Sequence, residues 1–394
     1  QSSDFEQHGT FWEMPAMFNI ENDDYAFVVT PQFAGAPADV IYWTGTFDGA
    51  NFEPYEMQTQ RLEILSEKFL APAFGQDEED RWTYIGIIPD DRDVALQIAA
   101  GWRHTFSIPR VVRLLDDKKT LASIPHPNLC RLRMDTTLVE NRMVQANSNN
   151  NLTEFQSNQC ELEFDLNFST SEIVELEVFK TSNGVEKTSI ILDKANNRIG
   201  LDRRQSSQFQ TVEDIRFQEY IFNSSGDVNV SVFLDRSVME VFIDQLVVFS
   251  ARVYPSSTSN NVDIVTASGE VLVKSFSGYN LGSKSNAFAD VSCEFTDIPG
   301  GLFTSTTEFI DDSQIELFPN PTAGQLTLSI DESMKGPFLI NVYNLNGLSI
   351  HQQPADPIGN NIGIQLQDGL PKGTYVVSIM TGDGKIGFKK FVKL

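Results

Sequence analysis

Apolar and polar residues alternate with a period of two along most of this chain, in short runs. Val174, Leu176 and Val178 alternate with Glu175 and Glu177, and Val228, Val230 and Val232 repeat the pattern, as do Leu326, Leu328 and Ile330. That is the period of a half-buried β-strand. Residues 25–30, 82–88 and 102–108 read as further strands, as do 246–253 and 262–273. Asp48-Gly49 and Asn183-Gly184 read as turns between strands. No 3.6-residue apolar period persists for ten residues, except weakly over residues 55–70. The pattern predicts an all-β chain.

The character changes twice along the sequence. Residues 279–313 are rich in Ser, Thr, Asp and Gly with scattered Phe and read as a linker, in which 291–295 could add a strand. Residues 314–394 return to short alternating strands and predict a small immunoglobulin-like β-sandwich of their own.

Composition narrows the function classes. The chain has 394 residues, 41% of them hydrophobic, enough for two or three domains with cores. Its net charge of −25 argues against nucleic-acid and anionic-lipid partners, which need clustered Lys and Arg, and fits a protein acting on a neutral polymer. No run of eighteen apolar residues is present, so no membrane-spanning segment is expected. Cys130, Cys160 and Cys293 form no CxxC pair and the four His are scattered, so neither metal nor cofactor is expected. The cysteines leave two readings open: one disulfide, with Cys130–Cys160 as the nearer pair, or free buried thiols.

One carboxylate stands out. Glu13 lies in FWEMPAMF (residues 11–18), flanked by large apolar side chains. Apolar company disfavours the charged form of a carboxyl group, which suits a general acid at neutral pH. Trp12 beside it reads either as core or as a face on which a sugar ring stacks. Other motifs follow in order: TGTFDGANFEP (44–54), RWTYIGIIPDD (81–91), GWRHTFSIPRVVRLL (101–115) and SVFLDRSVMEVFIDQ (231–245).

Together these stretches resemble glycoside hydrolase family 32, the fructan and sucrose hydrolases, over roughly residues 5–275. The first resembles the family's acid/base motif, Trp-Glu-Cys-Pro-Asp. The resemblance implies the C-terminal half of a five-bladed β-propeller over residues 1–114, then a lectin-like β-sandwich over 115–278. A blade takes about 40–45 residues, so the first segment supplies roughly two and a half. It also implies that Glu13 is the general acid/base, that Trp12 contacts substrate, and that the reaction retains configuration. Met14 and Ala16 replace the family's Cys and Asp, and Ile87 stands where a pocket-lining Trp is usual. Asp48 reads as a turn residue and Arg110 as a tie between the last blade and the sandwich. Asp235, Arg236 and Glu240 read as a salt-bridged hairpin.

The family's nucleophile and its middle-blade Asp lie in Asn-Asp-Pro and Arg-Asp-Pro stretches, neither of which occurs here; Arg92-Asp93 is followed by Val94. Retaining hydrolysis needs two carboxylates about 5–5.5 Å apart. The expectation is therefore the C-terminal part of a fructan hydrolase, with the nucleophile outside this chain and the 394 residues inactive alone. A surface glycan-binding protein without catalysis, or a furanosidase of a related propeller family, is the alternative.

The last domain adds localisation. Its FPNP opening, VYNLNG strand, LPKGTY turn and basic end, with Lys385, Lys389, Lys390 and Lys393, resemble the sorting domain of type IX secretion. That implies a secreted or surface protein, and the secretion machinery as a partner of residues 314–394. The lysines read as protection for a solvated edge strand.

Overall fold

The computed structural model describes residues 11–32, 39–65, 69–206, 215–282, 314–331, 334, 338–344, 349–355, 360–366, 370–381 and 386–394. The chain divides into two compact units, Gln1–Phe295 and Thr296–Leu394.

The first unit opens with two small antiparallel sheets. One runs β1 (Phe11–Glu21), β2 (Asp24–Gln32), β3 (Ile41–Phe47) and β4 (Phe52–Pro54), with β5 (Gln60–Arg61) also on β3. The other is ordered β10 (Leu121–Pro125), β9 (Arg110–Leu114), β7 (Trp82–Ile88) and β6 (Leu70–Gln76), with β8 (Thr105–Phe106) on β7. Two blade-sized sheets are thus described where the residue count predicted about two and a half. Phe18, Ala26, Val28, Tyr42, Phe69, Tyr84 and Ile88 form one core between them. The indole of Trp82 donates to the Asn19 carbonyl at 2.6 Å, and the Leu121 amide donates to the Tyr42 hydroxyl at 2.9 Å.

The structure differs locally from the sequence reading at three places. The weak helical period over residues 55–70 forms no helix among the residues described there, 55–65 and 69–70, which hold β5, bends and the start of β6. The strand expected over 102–108 shrinks to β8. The short helix α1 (Val94–Ala100) was not signalled, because it buries a polar residue, Gln97, while Val94 and Ile98 stay exposed. It ends at Gly101, whose φ of 75° is left-handed.

A β-sandwich follows. Its six-stranded sheet is ordered β11 (Arg133–Gln145), β21 (Glu270–Leu281), β12 (Gln159–Asn167), β17 (Asp227–Asp235), β18 (Val238–Ile243) and β19 (Val247–Arg252). Facing it are β16 (Ile215–Glu219), β15 (Arg198–Asp202), β14 (Thr188–Asp193), β13 (Ile173–Lys180) and β20 (Asn261–Val265). The alternation read from the sequence supplies this core: Leu162, Phe164 and Leu166 from β12, Val174, Leu176 and Val178 from β13, and Val228, Val230 and Val232 from β17. A one-residue slip would turn each set to the wrong face, so the pattern fixes the register.

Cys160 sits in that core as a free thiol, and burial pushes it up to about 12, whereas Cys130 is disulfide-bonded. The Cys130–Cys160 pairing is therefore overturned: proximity in sequence placed one cysteine inside the sandwich and the other on the turn before β11. Cys293 lies outside the described residues, as does the predicted linker from residue 283 onward, with the strand expected at 291–295.

The second unit has a three-stranded sheet, β22 (Ile315–Phe318), β23 (Gln325–Ile330) and β26 (Asn361–Gln365). A four-stranded sheet is ordered β25 (Ser349–Ala355), β24 (Phe338–Asn344), β27 (Gly373–Thr381) and β28 (Ile386–Lys393). Leu326, Leu328, Ile340, Val342, Val377 and Phe391 meet in its core. β28 is an edge strand of its sheet and carries Lys389, Lys390 and Lys393; Lys385 lies outside the described residues.

Candidate active site

Glu13 is placed by an irregularity that the sequence itself encodes. The β1–β2 ladder pairs Glu13 with Thr30 but Ala16 with Val28, so Met14 and Pro15 together oppose a single residue. Pro15 has no N–H to give the ladder, and a bulge is where a strand tolerates that loss. Met14 takes a φ of 47°, rare for a side chain of its kind. Such bulges re-aim side chains beside functional sites. β6 repeats the device: its register shifts between Leu70 and Ala73, across Pro72, and Ala71 has a φ of 47°. Glu13 and Leu70 therefore stand at matching places, just before the bulge on the first strand of each sheet. The two bulges adjoin, since the Ala71 amide donates to the Thr30 hydroxyl at 3.2 Å.

The environment of Glu13 differs from expectation. It is exposed, and its apolar neighbours are exposed with it: Phe11 at 56%, Met14 at 55% and Met17 at 43%. Flanking residues in sequence do not desolvate a strand residue, because side chains alternate between faces and the burial comes from what packs on each face. Glu13 instead takes a hydrogen bond: the Gln32 amide donates to its Oε2 at 2.8 Å. Trp12, one residue away, points to the opposite face. There its ring lies 5.9 Å from Phe27 and 5.7 Å from Trp43, within a cluster that includes Val29, Ile41 and Phe52.

The other singled-out residues fall elsewhere. Asp48 holds its turn: its Oδ1 accepts from the amides of Ala50 at 2.8 Å and Asn51 at 2.7 Å, which keep its carboxyl below the usual range. Ile87 is half-buried on β7 opposite Leu70, and Ala16 packs at the edge of the inter-sheet core. Arg110 is fully buried between the second sheet and the sandwich, bonded to Glu63 at 2.5 Å and Glu240 at 2.5 Å. This corrects the salt-bridged hairpin: among the described residues no ion pair joins Asp235, Arg236 and Glu240, and Glu240 reaches across to the blade instead. A second tie lies nearby, where the buried Arg252 guanidinium sits 5.2 Å from the Trp102 ring and 5.3 Å from that of Tyr254. Among the described residues its Nε and Nη1, both buried, have no hydrogen-bond partner, and the aromatic faces take that role.

Comparison with known proteins places this geometry in a family. Residues 1–125 match the glycosyl hydrolases family 32 N-terminal domain, and residues 129–280 match the family 32 C terminal. The chain belongs to glycosyl hydrolase family 32. Residues 316–393 match a secretion system C-terminal sorting domain, which marks this family 32 chain for type IX export to the cell surface or beyond.

Among curated relatives, a sucrose-6-phosphate hydrolase of Staphylococcus xylosus is 26% identical over 298 residues, 71% of this chain and 56% of that protein. A levanase of Bacillus subtilis is 23% identical over 296 residues, 70% of this chain and 43% of that one. The chain thus spans about half the length of the curated relatives it matches. The crystal structure of fructan 1-exohydrolase IIa from Cichorium intybus superposes with a TM-score of 0.58 at 16% identity, over 69% of this chain and 62% of that one, a likeness of fold.

Proposed function

We propose that residues 1–280 are the C-terminal part of a secreted glycoside hydrolase that cleaves β-fructofuranosidic bonds of the inulin, levan or sucrose type. Glu13 is its general acid/base. The reading is supported above all by where Glu13 stands: next to a Met14–Pro15 bulge, exposed to a substrate, with one oxygen held by Gln32 and the other taking no hydrogen bond among the described residues. The names of the two curated relatives, a sucrose-6-phosphate hydrolase and a levanase, support the substrate class.

In a retaining reaction Glu13 would give its proton to the leaving oxygen as the fructosyl–oxygen bond breaks. The same carboxylate would then take a proton from the water that releases the fructosyl group. No residue of this chain is assigned as the nucleophile, and no cofactor is invoked. Trp12 acts by fixing β1 through its ring contacts. We infer that residues 314–394 engage the type IX secretion machinery.

The test is Glu13→Gln in the full-length protein, assayed on sucrose, inulin, levan and arabinan. A loss of about 10²–10⁴ in rate with unchanged thermal stability is expected. Wild-type rates on fructans would remove Glu13 from the chemistry. Activity on arabinan alone would move the protein to a neighbouring furanosidase specificity, and binding without turnover by the wild type would favour the non-catalytic reading.

A further inference from the structure

We propose that Gln32 is a positioning residue for Glu13, presenting one carboxyl oxygen for proton transfer by holding the other. The inference rests on the acid/base reading of Glu13. The β2–β3 ladder stops at Val29 opposite Ile41, yet β2 continues through Thr30, Pro31 and Gln32, still paired with β1. This overhang pairs Gln32 with Phe11, two positions from the Glu13–Thr30 pair, on the same face of the sheet. Diagonal neighbours of this kind lie about 7–8 Å apart at the backbone, a gap that a Glu and a Gln close together. They do so, with Gln32 Nε2 donating to Glu13 Oε2 at 2.8 Å.

A glutamine suits the task because it does not ionise. Its N–H can donate to Oε2 whether Glu13 is a carboxylate or a carboxylic acid, so the proton is directed to Oε1 in both half-reactions. Without that bond the carboxylate rotates about its last torsion on an exposed strand, and the donor geometry is lost. Pro31 stiffens the approach of Gln32 by fixing φ just before it.

The experiment compares Gln32→Leu and Gln32→Glu with wild type and Glu13→Gln in the full-length protein, using kcat/KM on sucrose and on p-nitrophenyl β-D-fructofuranoside. Gln32→Leu is expected to lose about tenfold or more on sucrose, whose leaving group needs the proton, and about twofold or less on the aryl substrate, whose leaving group does not. Gln32→Glu, which keeps the reach of the side chain but has no N–H to give, should show the same selectivity.

Equal losses on both substrates would overturn the proposal. If Glu13→Gln also shows no leaving-group selectivity, the acid/base reading fails with it. If Glu13→Gln is selective and Gln32→Leu is not, only the role of Gln32 falls.

Discussion

Arg110 and Glu240, on strands β9 and β18 and 130 residues apart in sequence, form a wholly buried ion pair at 2.5 Å. The pair is the centre of a network. Arg110 also bonds Glu63 at 2.5 Å, Ser250 at 2.7 Å and the Tyr84 hydroxyl at 3.3 Å, and its guanidinium carbon lies 4.8 Å from the Phe69 ring. Burial disfavours the Arg110 charge, but Glu63 and Glu240 outweigh it and raise its pKa well above the ordinary value. Removing Arg110 would strand two buried carboxylates. Arg110→Met should cost about 3–5 kcal/mol, read as the shift in urea-unfolding midpoint. Glu240→Gln, which leaves Glu63 to balance the arginine, should cost less. Equal, small effects of the two would mean that the network is not what joins blade to sandwich.

Gly86 makes room for that network. A methyl group on its Cα would stand 2.2 Å from the Phe69 ring, the ring that underlies Arg110. Gly86→Ala should therefore destabilise by about 1–3 kcal/mol through overpacking, although alanine is ordinarily no worse than glycine in a strand. Phe69→Leu in the same chain should recover part of the loss. Additive effects of the two changes in thermal unfolding would count against the contact.

His104 gives the joint an acid-side weakness. Its Nδ1 accepts from the Asp90 amide at 3.0 Å, which only the neutral ring can do. Burial, then the charge of Arg103, then that of Arg252 lower its pKa, against an opposing pull from Asp90. A histidine whose pKa is depressed by folding adds stability that is complete above the unfolded value of about 6.5 and is lost as pH falls below it. His104→Asn keeps an acceptor side chain and tolerates the positive φ of 58° at this position. The difference in thermal midpoint between wild type and this variant should change between pH 7.5 and 5, with the variant losing less. Parallel curves would show that His104 does not titrate with folding.

The strands were most legible where one face is buried and the other is not, as along most of β12 and β17; β14 and β18 are buried along their whole length. Val228, Val230 and Val232 could be assigned to a core without knowing what they faced. Partners distant in sequence were not legible: nothing near Glu240 points to Arg110, and a hairpin salt bridge was the local substitute. The exposure of Glu13 was hidden for a related reason, since its apolar neighbours in sequence lie on other faces or in solvent. Gln32 could have been found. A tight turn pairing Glu21 with Asp24, continued without bulges, sets Gln32 directly opposite Glu13; register shifts at 13–16 and 19–21 move it to the diagonal. Helix α1 left no signal because seven residues with a buried glutamine carry no apolar period.

Asp77 predicts behaviour at lower pH. Its Oδ2 accepts from Arg81 Nε at 2.7 Å and from His126 Nε2 at 3.0 Å, and its Oδ1 accepts the amides of Glu79 at 2.9 Å and Arg81 at 3.0 Å. The His126 tautomer follows from its other nitrogen, since Nδ1 accepts from the Asn128 amide at 3.2 Å and so leaves the proton on Nε2. The β6–β7 turn is thereby tied to the turn that carries Cys130. Burial raises the Asp77 pKa, but the bonds from Arg81, Glu79 and His126 prevail and hold it at about 2. A carboxyl depressed by folding adds stability that is present above its unfolded value, about 3.9, and is lost as pH falls through the folded one. Asp77→Asn should therefore lower the urea midpoint at pH 5 and converge on wild type near pH 2. His126→Gln, which keeps an uncharged N–H donor, should lose less at pH 5 than Asp77→Asn. An Asp77→Asn deficit that persists undiminished at pH 2 would mean that the turn depends on the shape of the side chain and not on its charge.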